Sequence, residues 1–343
     1  MAFRRYVAMS PLVFICAFLS FSIACLLTPW LIRYLRRIGL LVHDANKKDL
    51  PLVPLSGGPA VFAGFFVGIM FFIFIRIFFS EGKPLLYFDA PQLLLLFSAV
   101  ITILLITFIG FLDDLVIKPN KESSSGLRQW QKPLLTLAAS VPLVVLNAGT
   151  DVMALPFFGK VHFGIVYPLL LIPLGVVGAS NMVNMLAGFN GMEAGMGIIS
   201  VGMLGIYAYV HERWIAALIA ALMCSALLAF YLYNTYPAKI LAGDSLTYLV
   251  GATLAVIAIV GNIERAAIIV SLPFFVEFIL KARKRFQAHS YGYYKDGKIH
   301  SLYGNKVYSI PHLFTRTGKF TEPQISYFMM GVVFFFSLLI WVV

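Results

Sequence analysis

Two neighbouring carboxylates are the residues of this chain best suited to chemistry. Asp113 and Asp114 follow a long apolar run, and carboxylates at the edge of such a run are costly unless they are solvated, paired or bound to a cation. A solvated pair that ends a helix is the simplest alternative. Carboxylate oxygens are also the ligands with which Mg²⁺ bridges a protein and substrate phosphates, so the pair indicates phosphoryl chemistry.

A cluster of side-chain amides follows a later apolar run. Asn181 and Asn184 are three residues apart and would share one face at the end of a helix. Asn190 and Glu193 come after Gly188, a residue type that lets the backbone approach a ligand closely. The Asn-Gly pair here is an ordinary turn signal, but a turn alone does not require the other amides. Polar groups beside an apolar run need partners, so the cluster predicts a binding site.

Three further features place charge beside apolar runs. Asp244 begins such a run, as a helix N-cap or a cation ligand would. A lysine pair at 47–48 precedes a loop rich in Pro and Gly, which either contacts a phosphate or simply leads into a helix. A basic region, 281–319, contains His312 and Arg316, whose side chains can donate hydrogen bonds to phosphate. The positive-inside rule accounts for part of the charge of this region.

The composition indicates that these residues belong to a membrane protein. Of the 343 residues, 60% are hydrophobic and 12% are charged. Soluble proteins have roughly 25% charged residues, and a water-soluble fold could not bury so much apolar surface. The apolar runs are long and continuous, which favours helices that span a bilayer over a barrel of strands. We expect the net charge of +11 to lie in loops that meet lipid or an anionic substrate, not nucleic acid.

Ten apolar runs are close in length to the roughly 20 residues that are needed to cross a bilayer. They predict an all-α polytopic protein with one domain over residues 1–343. The runs are about 8–32, 56–79, 91–112, 132–149, 163–180, 192–210, 214–233, 245–262, 265–280 and 323–343. Pro168 and Pro173 in the fifth run and Pro273 in the ninth predict kinked or broken helices there.

The distribution of Lys and Arg predicts the orientation of the chain. If the N-terminus lies outside, 19 of the 26 Lys and Arg residues fall in cytoplasmic loops, as the positive-inside rule requires. Arg4 and Arg5 weakly oppose this orientation. Both termini are then outside, and the polar clusters lie at the cytoplasmic ends of the helices. We therefore expect a multi-pass protein of the cell membrane whose active site faces the cytoplasm.

Together these motifs resemble the polyprenyl-phosphate N-acetylhexosamine-1-phosphate transferase family. The likeness covers most of the chain, and the layout of ten spans also fits. The stretch 186–195, Leu-Ala-Gly-Phe-Asn-Gly-Met-Glu-Ala-Gly, resembles the eukaryotic and archaeal UDP-GlcNAc–dolichyl-phosphate GlcNAc-1-phosphate transferase branch. The resemblance implies transfer of GlcNAc-1-phosphate, or a related sugar phosphate, from a UDP-sugar to polyprenyl or dolichyl phosphate. UMP would leave, in the first membrane step of glycan assembly for protein glycosylation.

The resemblance also implies roles for individual residues. Asp113 and Asp114 would form the catalytic pair, and Asn184 and Asp244 would bind Mg²⁺, with Mn²⁺ as an alternative. The substrate-binding residues that we expect from the clusters and the resemblance are Lys132, Asn181, Asn190, Glu193, His312 and Arg316.

Individual residues of these motifs bear on which substrates the protein would use. The resemblance assigns Asn190 to the uridine and Lys132 to the diphosphate. Ile117 stands where the family's acidic motif has a third Asp or Asn. A triple-histidine motif found in bacterial members is absent, which argues against a MurNAc-pentapeptide substrate.

A transporter or lipid flippase is the main alternative, in which the Asp pair and the Asn cluster form an ion or substrate path. Transport sites lie near the middle of the bilayer, whereas these clusters lie at the ends of predicted spans. The sequence leaves open which N-acetylhexosamine is used and the length and saturation of the lipid carrier. It also leaves open the oligomeric state, with a homodimer as one alternative.

Overall fold

The computed structural model describes residues 11–79, 89–117, 126–155 and 159–342, and within them the fold is a bundle of helices. Its α-helices are α1 Pro11–Arg37, α2 Gly58–Phe78, α3 Ala90–Val116, α4 Gln131–Ala139, α5 Val141–Val145, α6 Ile172–Met185, α7 Met192–Val210, α8 Trp214–Asn234, α9 Gly243–Gly261, α10 Glu264–Val270, α11 Leu272–Ala282, α12 His312–Thr315 and α13 Glu322–Leu338. A π-helical turn, Tyr167–Leu171, leads into α6, and a 3-10 turn, Leu339–Trp341, follows α13.

Among the described residues, three pairs of antiparallel strands lie between some of these helices. The strands are β1 Leu41–His43 with β2 Leu52–Pro54, β3 Val152–Leu155 with β4 Gly159–His162, and β5 Tyr293–Lys295 with β6 Lys298–His300. In register, Val42 faces Val53, Met153 faces Val161, and Tyr294 faces Ile299.

Within the described residues, eight helices are long and apolar enough to cross a membrane, which confirms an all-α polytopic membrane protein. They are α1, α2, α3, the π-turn with α6, α7, α8, α9, and α13 with its 3-10 turn. The outer helices carry exposed apolar side chains such as Phe14, Phe18 and Leu26 of α1. Such surfaces suit a lipid environment, because lipid solvates the outward faces of spanning helices.

The other two of the ten predicted runs fold as broken helices. The run 132–149 becomes α4 and α5, which meet at Ser140 just before Pro142. The run 265–280 becomes α10 and α11, which meet at Ser271 just before Pro273. Proline lacks the N–H that would continue a helix, so each break follows from the sequence. Five of the 26 Lys and Arg residues that entered the prediction of orientation lie outside the described residues: Arg4, Arg5, Lys83, Lys118 and Lys121.

Local sequence also explains where helices begin. At α3, the side chain of Asp89 accepts a hydrogen bond from the backbone N–H of Gln92 at 2.8 Å. At α13, Thr321 and Gln324 form a capping box in which each side chain bonds to the other residue's backbone N–H. Both arrangements satisfy backbone donors that the first helical turn leaves free.

Helix α9 forms the centre of the bundle. All side chains from Ser245 to Gly261 are buried, and α2, α3, α6, α7 and α8 pack around them. The contact with α3 is close, since a Cβ atom at Gly110 would lie 2.5 Å from the backbone oxygen of Asp244. The end of α3 and the beginning of α9 therefore meet, and this contact brings the three aspartates of the site together.

Candidate active site

Lys132 joins two carboxylates that come from different helices. Its Nζ forms a close ion pair with Oδ2 of Asp113 and lies 2.8 Å from Oδ2 of Asp244. Asp113 is buried and also accepts a hydrogen bond from the backbone N–H of Leu127 at 2.5 Å, whereas the side chain of Asp244 is 23% exposed. The ammonium of Lys132 thus offsets the repulsion between two carboxylates that would otherwise be costly so close together.

The end of α6 supplies the amide of the same cluster. Nδ2 of Asn184 donates to Oδ2 of Asp244 at 3.0 Å, and its Oδ1 accepts from the hydroxyl of Thr247 at 2.8 Å. Asn181 lies one turn earlier, where its Nδ2 donates to the carbonyl of Val177 at 2.8 Å. The two amides share one helix as predicted, but only Asn184 contacts Asp244.

Asp114 caps the central helix. Its two carboxylate oxygens accept the backbone N–H groups of Asp244 at 2.7 Å and Ser245 at 3.1 Å, and the side chain is fully buried. Gly243 makes this contact possible, because it adopts φ +69° and a Cβ atom there would lie 2.5 Å from Oδ2 of Asp114. A carboxylate at a helix N-terminus is favourable, so Asp114 holds Asp244 in place.

Asn190 belongs to a second polar cluster. Its Oδ1 accepts from Nζ of Lys47 at 3.0 Å and from the backbone N–H of Ala238 at 2.9 Å, and its Nδ2 donates to Asp44 at 3.0 Å. Its backbone N–H donates to Glu322 at 2.8 Å, and Lys47 forms ion pairs with both Asp44 and Glu322. Of these residues Lys47 was noted from the sequence, whereas Asp44 and Glu322 were not predicted.

The two clusters border one cavity of about 310 Å³. Asn184 and Asp244 line it on one side, and Asp44 and Asn190 line it on another. Tyr291, which was also not predicted, is a further lining residue. A polar cavity at the joined helix ends can take a ligand with both a charged and a hydrogen-bonding part.

Glu193 lines this cavity but already has a partner. Its Oε1 accepts a hydrogen bond from the backbone N–H of Gly188 at 2.5 Å, which closes the turn between α6 and α7. In the present geometry Glu193 therefore shapes the cavity wall.

His312 and Arg316 lie outside the lining of this cavity. His312 is fully buried: the backbone N–H of Tyr308 donates to its Nδ1 at 3.1 Å, and its Nε2 donates to the carbonyl of His289 at 2.8 Å. Burial lowers the pKa of His312 more than the hydrogen bond to His289 raises it. The ring is therefore neutral and holds the basic region together, while Arg316 is exposed.

The oxygen atoms around Lys132, in the cluster of Asp113, Asn184 and Asp244, fit a divalent cation. Among the described residues no group of three or more His, Cys, Asp or Glu side chains could hold a metal ion. The cluster instead offers the carboxylates of Asp113 and Asp244 and the side-chain amide of Asn184, whose oxygen now accepts a hydrogen bond from Thr247. Such a small, hard set suits Mg²⁺, which typically takes one or two protein carboxylates and completes its shell with water and substrate phosphates. Lys132 now supplies the positive charge between these oxygens.

Comparison with known proteins relates this site to a family. The profile of glycosyl transferase family 4 matches residues 96–262. The chain is 34% identical over 94% of its length to a protein of Saccharolobus solfataricus, 93% of which is covered. The chain belongs to glycosyl transferase family 4. The S. solfataricus protein is provisionally named UDP-N-acetylglucosamine–dolichyl-phosphate N-acetylglucosaminephosphotransferase.

Two further relatives support this membership of glycosyl transferase family 4. A Sulfolobus acidocaldarius protein with the same provisional name is 31% identical over 93% of the chain and 92% of its own length. The phospho-N-acetylmuramoyl-pentapeptide-transferase of Streptococcus mutans is 32% identical over 77% of the chain and 76% of its own length. The family resemblance inferred from the motifs is therefore confirmed. The matched segment 96–262 contains the whole cluster of Asp113, Lys132, Asn184 and Asp244. Lys47 and Glu322 of the second cluster lie outside it.

Proposed function

We propose that this chain transfers GlcNAc-1-phosphate from UDP-GlcNAc to dolichyl phosphate, or a similar polyprenyl phosphate, and releases UMP. The observation that carries the proposal is the meeting of Asp113, Lys132, Asn184 and Asp244, from four separate helices, beside one polar cavity. The names of the two archaeal relatives support the same pair of substrates. The reaction would begin glycan assembly on a lipid carrier for protein glycosylation.

The reaction joins two anions, so its barrier is mainly electrostatic. An oxygen of the lipid phosphate attacks the phosphorus that carries the sugar, the bond to the UMP oxygen breaks, and that oxygen keeps the electron pair. A phosphate monoester has a second pKa near 6, so the acceptor is mostly a dianion at pH 7 and needs little help from a base. Asp113 then serves to orient the acceptor, and Lys132 supplies fixed positive charge to the diphosphate.

A divalent cation is part of this proposal. Asn184 and Asp244 would hold Mg²⁺, or Mn²⁺, with Asp113 close by. When bound, the ion would neutralise charge on the diphosphate. The donor set of oxygens beside the cavity supports this assignment.

An apolar groove supports binding of the isoprenoid chain. It has a volume of about 370 Å³ and lies between α6, α9, α10 and α11. Gly175, Gly178 and Met182 of α6 line it, and Met182 is two residues from Asn184. A chain in this groove would lead its phosphate towards the polar cluster. A transporter has less support, because the polar clusters lie at the ends of the helices.

The asymmetry of Lys and Arg supports an orientation with both termini outside and the site facing the cytoplasm. In this orientation the cavity is open to nucleotide sugars of the cytoplasm. The protein would then act at the inner face of the cell membrane.

Release of UMP tests the activity, the metal and the orientation. Purified protein is incubated with dolichyl phosphate, Mg²⁺ and a panel of UDP-sugars. We expect UMP to be released when UDP-GlcNAc is the sugar donor, and this release to stop when a chelator removes the metal. Sealed inside-out vesicles should react with added UDP-GlcNAc, while right-side-out vesicles should not. An absence of UMP with every sugar of the panel would refute the proposed transfer.

A further inference from the structure

Three chain segments meet behind the wall of the polar cavity, and one asparagine links them. Asn46, in the loop between β1 and β2, donates from Nδ2 to the carbonyl of Gly188 at 2.6 Å. Its Oδ1 accepts from the backbone N–H of Gly292 at 3.2 Å. Asn46 is 2% exposed, so neither bond competes with solvent. The side chain therefore joins the β1–β2 loop to the α6–α7 turn and to the segment before β5.

The partners of Asn46 belong to the cavity wall, although Asn46 itself lies behind it. Gly188 lines the cavity, and so does Tyr291, the neighbour of Gly292. Tyr291 packs directly over Gly188, where a Cβ atom would come within 3.2 Å of the tyrosine ring. The two hydrogen bonds of Asn46 thus fix the separation between the α6–α7 turn and Tyr291.

The segment that carries Tyr291 is anchored again on its other side. The hydroxyl of Ser290 donates to the carbonyl of Met185 at 3.2 Å and lies 3.3 Å from Oε1 of the buried Glu277. Ser290 thereby holds the segment to α6 and α11, but it makes no bond to the β1–β2 loop among the described contacts. Asn46 supplies that connection.

We propose that Asn46 is a positioning residue for the nucleotide sugar, which sets the width of the cavity between the α6–α7 turn and Tyr291. The inference rests on the proposed transfer from UDP-GlcNAc. Asn46 has no contact with Asp113, Lys132 or Asp244, which are held by other helices. Its loss should therefore weaken binding of the nucleotide sugar and leave the chemistry and the lipid acceptor largely unaffected.

The test uses two substitutions at Asn46 and a matched control. Asn46→Ala removes both hydrogen bonds. Asn46→Asp keeps the shape and the acceptor for Gly292 but has no N–H for the carbonyl of Gly188. Asn305→Ala, which alters an exposed asparagine in the basic region, is the control. KM for UDP-GlcNAc, KM for dolichyl phosphate and kcat are measured in full-length protein, together with UMP binding in the absence of the acceptor.

We expect both Asn46 variants to raise KM for UDP-GlcNAc and Kd for UMP roughly tenfold, the effect of losing one or two buried hydrogen bonds. Their kcat and KM for dolichyl phosphate should stay within about twofold of wild type, and Asn305→Ala should behave as wild type. If the alanine variant does not fold, the nearly isosteric aspartate variant reports on the same position.

Three results would overturn the inference. These are an unchanged KM for UDP-GlcNAc in the folded variants, a fall in kcat alone, or equal losses for both substrates. A wild-type protein that releases no UMP would instead refute the proposed function, while UMP binding would still measure the effect of Asn46.

Discussion

At the scale of single residues, the adjacent Asp113 and Asp114 have different environments. Asp113 pairs with Lys132, which also contacts Asp244, so Asp113 lies among the charged groups beside the cavity. Asp114 uses both oxygens to cap α9 and is fully buried. Two identical side chains one residue apart point in different directions on a helix, and from this geometry we infer a chemical role for Asp113 and a structural one for Asp114.

This difference gives a prediction for two matched substitutions. Asp113→Asn should lower the rate of UMP release by at least about 100-fold with little change in the melting temperature, because it removes charge at the reacting groups. Asp114→Asn should lower stability by about 1–3 kcal/mol, because an amide satisfies the α9 N-terminus less well. Transfer assays and thermal unfolding in the same detergent measure both effects. Near-native turnover in Asp113→Asn would contradict the assigned role.

The sequence alone predicted part of this site. Asp113, Asn184 and Asp244 each border an apolar run at the predicted inner side, and the structure brings them together. Asp44 and Glu322 could not be found in this way, since they bond to a residue 146 and 132 positions away and their own surroundings look like ordinary loop and helix starts. Only the packing of the helices makes that cluster visible.

At the scale of elements, the basic region depends on a buried neutral ring. His312 begins the short helix α12, and its two ring nitrogens bond to Tyr308 and His289. We expected this histidine to bind substrate because of its residue type. The sequence could not show that it is buried, because burial depends on how the long connection before α13 folds back on α11.

The buried ring predicts a pH dependence of stability. Its pKa in the folded protein lies below the ordinary value of 6.5, mainly because of burial. Between these two pKa values the unfolded chain binds a proton that the folded chain does not, so stability falls as the pH drops below about 6.5. His312→Gln keeps a donor for His289 and does not titrate.

Melting temperatures at pH 7.5 and pH 5.5 test this expectation. The wild-type protein should lose more stability between the two pH values than the His312→Gln variant does. Equal losses in the two proteins would show that other groups cause the change.

The two broken helices differ in how far the sequence analysis anticipated them, since a break was predicted at Pro273 but not at Pro142. The prolines at 142 and 273 explain where the helices break. The combined helix Gln131–Val145 is shorter than the other spanning helices, yet it follows α9 from end to end. Lys132 pairs with Asp244 where α9 begins, and a Cβ atom at Gly149, just beyond α5, would lie 2.9 Å from the backbone oxygen of Ile259 near the end of α9. Eight long helices are found among the described residues, and the two broken helices correspond to the other two of the ten predicted runs.

At the scale of the whole molecule, the apolar groove gives a prediction about the lipid acceptor. Gly175 lines the groove, and no atom lies within 4 Å of a Cβ atom placed there. Gly175→Leu should therefore fit without strain and fill the space of the isoprenoid chain. We expect KM for dolichyl phosphate to rise roughly tenfold while KM for UDP-GlcNAc stays unchanged.

Gly331→Leu is the matched control for this substitution. Gly331 lies in the spanning helix α13, also has free space at its Cβ position, and borders none of the cavities described above. Its variant should have wild-type KM values for both substrates. A similar rise in the control would show that added bulk on a spanning helix, and not occupancy of the groove, causes the effect.

The burial of α9 has a consequence for how the protein responds to its membrane. A helix enclosed by protein along seventeen consecutive residues can meet lipid chains only where the apolar groove reaches it. A thicker or thinner bilayer acts first on the outer helices, which can tilt to match it. The carboxylate at the tip of α9 is thereby insulated from such adjustments, so the same reactive geometry can persist across membranes of differing thickness.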